Sequence, residues 1–239
     1  MLVEFLNRLL DLKRPETVEI HGRVYSTNKL ASVESPVAEA VSVRTMTGLV
    51  DLYRENLDNV QAMNIGIHVV SHDCVRLISL EADQWANRRT FIAAIRKEER
   101  GFPFGEWMGI EPFIIGLQAM FYPSAEQAQI LALVSNMTAG SLATSEDDGF
   151  SQKVTVQKSV AFKEDRTIKP IVALQPYRTF SEVDQPVSNF LFRVRRNGEN
   201  NQAVHCMLTE ADGGLWKYAA MDSMKAWFKD QALNLPIIA

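Results

Sequence analysis

Histidine and cysteine are the residue types of this sequence that most often hold metals or act as nucleophiles, and the chain has four histidines and two cysteines. His72, Asp73 and Cys74 are consecutive in a segment whose pattern predicts a strand and a turn. Adjacent side chains of a strand point to opposite faces, and zinc ligands are usually about two to four residues apart. His205 and Cys206 are also adjacent in a predicted strand, which is a poor geometry for a catalytic pair. The sequence therefore predicts no metal site, no cofactor and no catalytic residue.

The motifs that mark common reactions and phosphate sites are missing from the sequence. It contains no GxSxG, no GxxxxGK[ST] and no GxGxxG. Asp212, Gly213 and Gly214 precede a predicted helix, and exposed N–H groups at a helix N-terminus can bind anions. We favour a simpler structure, a turn in which Asp212 caps the helix. On these grounds we expect a protein that is not an enzyme.

An acidic cluster leaves one enzymatic alternative open. Glu146, Asp147 and Asp148 carry carboxylates of the kind that bind calcium or magnesium. The spacing of an EF-hand is absent, and we favour a solvated acidic loop. The alternative is a hydrolase that uses these carboxylates with a divalent metal ion.

The segment QPYRTFSEVDQP combines aromatic and basic residues between two Gln-Pro dipeptides. Pro176 and Pro186 argue against an interior strand and stiffen the chain, so we predict a rigid corner that leads into a strand. Aromatic residues and arginine are enriched at protein interfaces and can also stack on bases. With basic residues of the next hairpin and of the last helix, the segment supplies six predicted binding or interface residues: Tyr177, Arg178, Phe180, Arg193, Arg195 and Lys217.

Composition narrows the class of partner. The 239 residues are 46% hydrophobic, and the formal net charge is −4 with both signs interspersed. A protein that coats DNA usually carries a basic excess, so we favour a protein partner, above all a second copy of this chain, over nucleic acid. No segment approaches the roughly 18 apolar residues of a membrane span. The two distant cysteines indicate buried, reduced thiols. We therefore expect a soluble, cytoplasmic protein with no membrane partner.

Hydrophobic periodicity predicts an α+β fold with mixed or antiparallel sheets, a helical hairpin in the middle and a C-terminal helix. In chain order we expect a helix at 2–12, a hairpin at 17–26, a helix from Thr45 or Thr47 to Val60, three strands over 65–97, two helices over 112–136, about four strands over 151–210, and the last helix. Ser124 and Gln127 form the pattern of a capping box.

The polar stretch TAGSLATSEDDGF is the predicted linker or mobile loop. We accordingly divide the chain into an N-terminal α+β region, 1–140, and a C-terminal β-rich region with a terminal helix, 141–239. The two regions could also form one continuous domain.

Five segments carry a resemblance to a known family: VRTMTGLVDLY, FPFGEWMGIEPFIIGLQ, EDDGFSQKVTV, PYRTFSEVDQP and EADGGLWKYAAM. In this order they resemble an uncharacterised family of proteins encoded by tailed phages and prophages, which is distantly similar to YfdQ-like prophage proteins. The resemblance covers nearly the whole chain. It implies a phage gene product made in the cytoplasm of a bacterial host, and it supplies no catalytic residue to transfer.

Two functional hypotheses follow from these observations. The first is a non-enzymatic phage- or prophage-encoded protein that assembles with copies of itself into a shell-like or ring-like complex or acts as an accessory factor, since strand edges invite pairing between chains. The second is a binding module that intercepts a host defence component, a nucleotide signal or nucleic acid. In that module Arg178, Arg193, Arg195 and Lys217 contact phosphates.

Overall fold

The structure is a computed structural model of the chain. It describes residues 3–5, 16–20, 23–26, 38–82, 87–97, 101–137, 142–147, 152–159, 162–168, 170–197 and 203–239. The fold is α+β with mixed and antiparallel sheets, a helical hairpin and a C-terminal helix, which confirms the predicted class. None of the helices within the described residues is long and apolar enough to cross a bilayer.

The chain forms two compact units, Met1–Ala38 and Glu39–Ala239. In the first, β1 (Thr17–Ile20) and β2 (Arg23–Ser26) pair antiparallel, which confirms the predicted hairpin. The helix predicted at 2–12 lies largely outside the described residues. The structure describes residues 3–5 of this range, and these three are helical. The predicted division near residue 140 falls inside the second unit.

The second unit contains four α-helices and twelve strands among its described residues. The helices are α1 (Met46–Arg54), α2 (Ile110–Met120), α3 (Ala125–Ser135) and α4 (Leu215–Asp230), and a 3₁₀ helix covers Leu57–Ala62. The strands are β3 (Val41–Val43), β4 (Ile65–Ser71), β5 (Cys74–Ser79), β6 (Thr90–Ile95), β7 (Met108–Gly109), β8 (Leu142–Asp147), β9 (Gln152–Ser159), β10 (Phe162–Ile168), β11 (Ile171–Leu174), β12 (Ser188–Asn197), β13 (Ala203–Glu210) and β14 (Ile237–Ile238).

The first large sheet has the order β14-β4-β5-β6-β3. Its centre is the predicted antiparallel meander β4-β5-β6, and β14 and β3 join its two edges in parallel. Gly66 allows the C-terminal segment to approach β4, because a Cβ there would lie 3.1 Å from the carbonyl oxygen of Pro236. That oxygen accepts a hydrogen bond from the Ile67 amide at 2.9 Å.

Helix α1 packs on this sheet through Met46, Leu49 and Val50. The Thr45 hydroxyl accepts the Gly48 amide hydrogen at 3.0 Å and so caps the helix, as predicted. The helix ends at Arg54 rather than at Val60. Asn56, Asp58 and Asn59 have φ angles of 54°, 54° and 56°, and a left-handed backbone stops an α-helix; asparagine and aspartate adopt it more readily than other residues with a Cβ.

The second large sheet has the order β11-β12-β13-β7, and all its neighbours are antiparallel. Helices α2 and α3 cover one face of it and form the predicted helical hairpin. The Ser124 hydroxyl caps α3 by accepting the Gln127 amide hydrogen at 3.1 Å. The capping-box role of the Gln127 side chain is corrected, because its Nε2 instead donates to the Leu117 carbonyl of α2 at 2.7 Å.

The predicted linker at 138–150 contains a strand, so that prediction is wrong for Leu142–Asp147. Strand β8 pairs with β9, and β9 pairs with β10. The sequence pattern did not predict β8 or β10. Both missed strands are polar or charged, and a strand ladder is held by backbone groups that any residue except proline supplies. Their polar composition therefore gave no hydrophobic pattern from which a strand could be predicted. Asp148, the last member of the acidic cluster, lies outside the described residues.

Two hydrophobic cores lie inside the second unit. The first core joins the first sheet, α1 and the buried face of α4, where Ala220, Met224 and Phe228 are each no more than 1% exposed. The second core joins the second sheet with α2 and α3 around a group of phenylalanines. Because α4 and β14 pack against the early strands, the last residues of the chain belong to the same core as residues 46–94.

Cys206 lies in the second core with no exposed surface, and burial raises the pKa of its thiol to about 12. The thiolate is the reactive form, so in a folded Cys74→Ser variant we expect Cys206 to react with an aromatic disulfide reagent at pH 8 about a thousandfold more slowly than an exposed cysteine. The same variant unfolded in guanidinium chloride should release one reactive thiol per chain. Fast, complete labelling of the folded variant would contradict the burial.

Candidate functional site

The segment between β11 and β12 is folded around one buried amide side chain. Gln185 is 9% exposed. Its Oε1 accepts the backbone amides of Arg178 at 2.8 Å and Thr179 at 3.1 Å, and its Nε2 donates to the carbonyl of Phe180 at 3.1 Å. One side chain thus replaces the backbone partners that a regular strand would offer, which is why this polar stretch forms a defined corner without secondary structure.

The corner is tied to both cores. The Tyr177 amide donates to the Met120 carbonyl at the end of α2 at 3.0 Å. The Thr179 hydroxyl donates to the His72 carbonyl in the β4-β5 turn at 2.6 Å, and the Glu182 carboxylate accepts the Thr47 amide hydrogen at 3.1 Å. The Phe180 ring fills the first core and is 1% exposed. The segment QPYRTFSEVDQP is therefore the joint between the two cores.

Arg178 lies at the centre of this joint and is 7% exposed. Its Nη1 forms an ion pair with Glu210, and its Nη2 donates to the Ser188 hydroxyl. The guanidinium carbon lies 3.9 Å from the ring centroid of Trp216 and 5.5 Å from that of Phe190. Burial lowers the pKa of Arg178 to about 10, and the negative charges of Glu210 and Asp212 oppose this effect. The side chain therefore carries its charge at neutral pH.

Two buried nitrogen atoms of this group find no acceptor among the described residues: Nε of Arg178 and the indole Nε1 of Trp216. Trp216 is 6% exposed, so both side chains are more than nine-tenths buried. Most buried donors in folded proteins have a partner, and an exception calls for a bound water, an ion or a functional reason. Both orphan atoms are N–H donors, and the group that would satisfy them is an oxygen acceptor.

Arg178 and Trp216 form part of the wall of a cavity of about 540 Å³. Three lining residues carry a positive charge, Arg96, Arg178 and Lys217, and one, Glu210, carries a negative charge. The other lining side chains are mainly aromatic or apolar: His72, Phe102, Phe104, Ala119, Met120, Pro176, Tyr177 and Trp216. A cavity of this size, with apolar surface and a few convergent polar groups, has features of a small-molecule site.

Local packing fixes the walls of the cavity. Gly116 allows Phe102 to lie against α2, because a Cβ there would be 3.0 Å from Cε2 of that ring. The Phe104 ring stacks on Phe190 at 5.0 Å between centroids. Arg96 donates from Nη2 to the carbonyl of Tyr177 at 3.0 Å, which anchors its guanidinium at the cavity.

The positive end of α4 also meets the cavity, since Trp216 and Lys217 are in its first turn. The N-cap is Gly214, with φ of 81°, and the first turn holds no acidic residue. The prediction that Asp212 is the N-cap is corrected: its carboxylate accepts the Gly214 amide hydrogen at 3.0 Å, which shapes the turn that leads into the helix. Helix N-termini carry a partial positive charge that favours anions.

Three of the six predicted site residues meet at this cavity: Tyr177, Arg178 and Lys217. Phe180 is a core residue, so its ring is not available to a partner on this surface. Arg193 and Arg195 lie on the face of β12 that points away from the second core. There the Arg195 guanidinium stacks 4.2 Å from the ring of Trp107. The two arginines of β12 do not line the cavity.

Sequence reasoning missed the residues that complete the site: Arg96, Phe102, Phe104, Glu210 and Trp216. They come from four separate parts of the chain, so no local spacing brings them together. One signal was present, because Trp216 and Lys217 come two and three residues after Gly214, in a segment that we considered for anion binding. Among the described residues, no group of three or more histidine, cysteine, aspartate or glutamate side chains could hold a metal ion.

The role of Gln185 can be tested by truncation. Gln185→Ala leaves the amides of Arg178 and Thr179 buried without acceptors, and each such group costs about 1–3 kcal/mol. We expect the free energy of unfolding to fall by about 2–4 kcal/mol in urea denaturation. Gln118→Ala, at an exposed position of α2, is the matched control and should change it by less than about 0.5 kcal/mol. Equal effects of the two substitutions would disprove the structural role of Gln185.

No protein-family model, curated protein or solved structure matches this chain. The phage or prophage origin therefore stays a prediction from the sequence.

Proposed function

We propose that this protein is a non-enzymatic binding module that holds an anionic small molecule in the cavity beside Arg178 and Trp216. The observation that supports this most strongly is a pair of buried donors on residues of the cavity wall, Arg178 Nε and Trp216 Nε1, for which the described residues offer no acceptor. An oxygen of the ligand supplies that acceptor. This is the small-ligand form of the binding module considered from the sequence.

The electrostatics of the wall favour an anion. Arg96, Arg178 and Lys217 outnumber the single lining carboxylate of Glu210, and the N-terminus of α4 adds its partial positive charge. Charge-assisted hydrogen bonds from arginine to carboxylate or phosphate are shorter and about twice as strong as neutral ones. The lower local dielectric beside aromatic side chains strengthens such contacts further.

Glu210 is the group with which the ligand competes. Its side chain is 35% exposed, whereas that of Arg178 is 8% exposed, so the carboxylate is the partner that can move into solvent. Arg178 Nε and Trp216 Nε1 are shielded, and a ligand oxygen reaches them only when neighbouring side chains shift. Exchange of one anion for another at Arg178 keeps the buried guanidinium paired, which avoids the large cost of an unpaired buried charge.

Binding of anions can be measured against uncharged relatives of the same shape. By isothermal titration calorimetry we expect adenosine monophosphate to bind more tightly than adenosine, and indole-3-acetate more tightly than indole-3-acetamide, by about tenfold or more in at least one pair. Lys217→Ala should weaken binding of the anion about fivefold, since a partly exposed charge pair contributes about 1 kcal/mol or less. Raising the salt concentration should weaken it as well.

Lys225→Ala is the matched control, since Lys225 lies on the same helix and does not line the cavity. Its affinity for the anion should equal that of the unaltered protein. If the uncharged members bind as tightly as the anions, or if the two lysine variants behave alike, the proposal of an anion site fails.

Self-association is a second proposal, and an exposed helix face favours it. Leu215 and Tyr218 are 68% and 69% exposed, and they are three residues apart on α4, which places them on one face. We propose that a phage- or prophage-encoded protein, made in a bacterial cytoplasm, uses this face against a second copy of itself. Pairing at the β11 edge is less favourable, because the Glu126 carboxylate accepts the Ala173 amide hydrogen there.

The oligomeric state follows from light scattering after gel filtration. At micromolar concentration we expect a mass above the 26.9 kDa of one chain. Leu215→Ser with Tyr218→Ser should shift the equilibrium towards the monomer, whereas Ile171→Ser, at an exposed position of β11, should not. A monomer for the unaltered protein would refute the self-association proposal and would leave the anion site untouched.

A further inference from the structure

The cavity has a second chemical character beside its charge. Aromatic rings from separate segments surround it: Phe102 and Phe104 from the loop after β6, Tyr177 from the corner, and Trp216 from α4. Simple binding of phosphate or another small inorganic anion requires none of these rings. The cations alone would be sufficient for that purpose.

The rings are not equally available to a ligand. The Trp216 ring is occupied by the Arg178 guanidinium at 3.9 Å and by the edge of His72 at 4.6 Å between centroids. Phe102 is 7% exposed and packs in the second core. Tyr177 is 45% exposed, and its contact with Tyr122 is edge-on, with the rings 6.2 Å apart and inclined at 67°. An edge-on neighbour leaves part of the tyrosine surface open for stacking.

The cations lie in the same cavity wall as this ring. Arg96 is bonded through Nη2 to the carbonyl of Tyr177 itself, and Lys217 Nζ lies 5.8 Å from the ring of Trp216. The Arg96 guanidinium is therefore held close to Tyr177 by a hydrogen bond to the backbone of the corner. Lys217 is held in the same wall by the first turn of α4. A cavity of about 540 Å³ has room for both a ring and an acidic group.

We infer that the ligand is a planar aromatic molecule with a phosphate or carboxylate group, bound with its ring against Tyr177 and its acidic group towards Arg96, Arg178 and Lys217. This inference rests on the proposed anion site and adds the class of ligand. A nucleoside monophosphate and an indole carboxylate are the two representatives that distinguish the phosphate form from the carboxylate form.

The test compares each ring-bearing anion with the same acidic group without a ring. By calorimetry we expect adenosine monophosphate to bind about tenfold more tightly than ribose 5-phosphate, or indole-3-acetate about tenfold more tightly than acetate, because stacking of a base on an aromatic side chain contributes about 1–3 kcal/mol. The pair that shows the difference identifies the acidic group.

Variants separate the ring from the charge. Tyr177→Ser should weaken binding of the ring-bearing anion about fivefold or more and leave the ring-free anion unchanged. Lys217→Ala should weaken both. Tyr218→Ser is the control, because Tyr218 is exposed on α4 and is not among the residues that line the cavity. Unfolding curves of each variant in urea establish that its fold is retained.

The outcomes separate this inference from the proposed function. If ribose 5-phosphate and acetate bind as tightly as their ring-bearing partners, the anion site stands and the aromatic ligand is refuted. If adenosine binds as tightly as its monophosphate, the anion site is refuted. If none of these compounds binds at millimolar concentration, both proposals are overturned.

Discussion

The buried guanidinium of Arg178 is the interaction on which the second unit depends. A charge in this position is costly unless it is paired, and removal of one partner from a buried pair typically costs about 3–5 kcal/mol. Here the charge is compensated by Glu210, by the Ser188 hydroxyl and by the face of Trp216. These three partners come from the end of β13, the start of β12 and the first turn of α4. Compensation of one charge therefore fixes the relative positions of three elements.

The corner that carries Arg178 extends this constraint to the rest of the unit. Gln185 holds the backbone of the corner, Thr179 ties it to the β4-β5 turn, and Glu182 accepts an amide hydrogen at the start of α1. Phe180 fills the first core, whereas the residues around Pro176 contact α2 through the Phe121 bridge. The cavity lies where these constraints meet. The backbone of its walls is consequently held in place by these hydrogen bonds, and preorganisation of the backbone lowers the cost of binding.

Arg178 has a role in the fold and a proposed role in binding. The fold requires Nη1 and Nη2 to be paired with Glu210 and Ser188, while Nε and the indole nitrogen of Trp216 find no acceptor in the described part of the chain. Buried unsatisfied groups of this kind call for an explanation, such as a bound water, an ion or a ligand. This division supports a binding site built on a structural ion pair, with no nucleophile or metal cluster required.

The local sequence by itself determined the elements. Period and capping predicted the β1-β2 hairpin, the β4-β5-β6 meander, the helical hairpin and the caps at Thr45 and Ser124, because these depend on residues within a few positions of each other. The local sequence also indicated Tyr177, Arg178 and Lys217 as binding or interface residues. Tertiary structure alone decided that β8 and β10 each pair with β9, that β14 joins β4, and that Gln127 bonds to α2 rather than to its own cap. It likewise decided that Phe180 is a core residue, and that Glu210 and Trp216 are the partners of Arg178. The physical reason is that burial, ion pairing and strand pairing are set by residues distant in the sequence, whereas local patterns record only the preferences of neighbours along the chain.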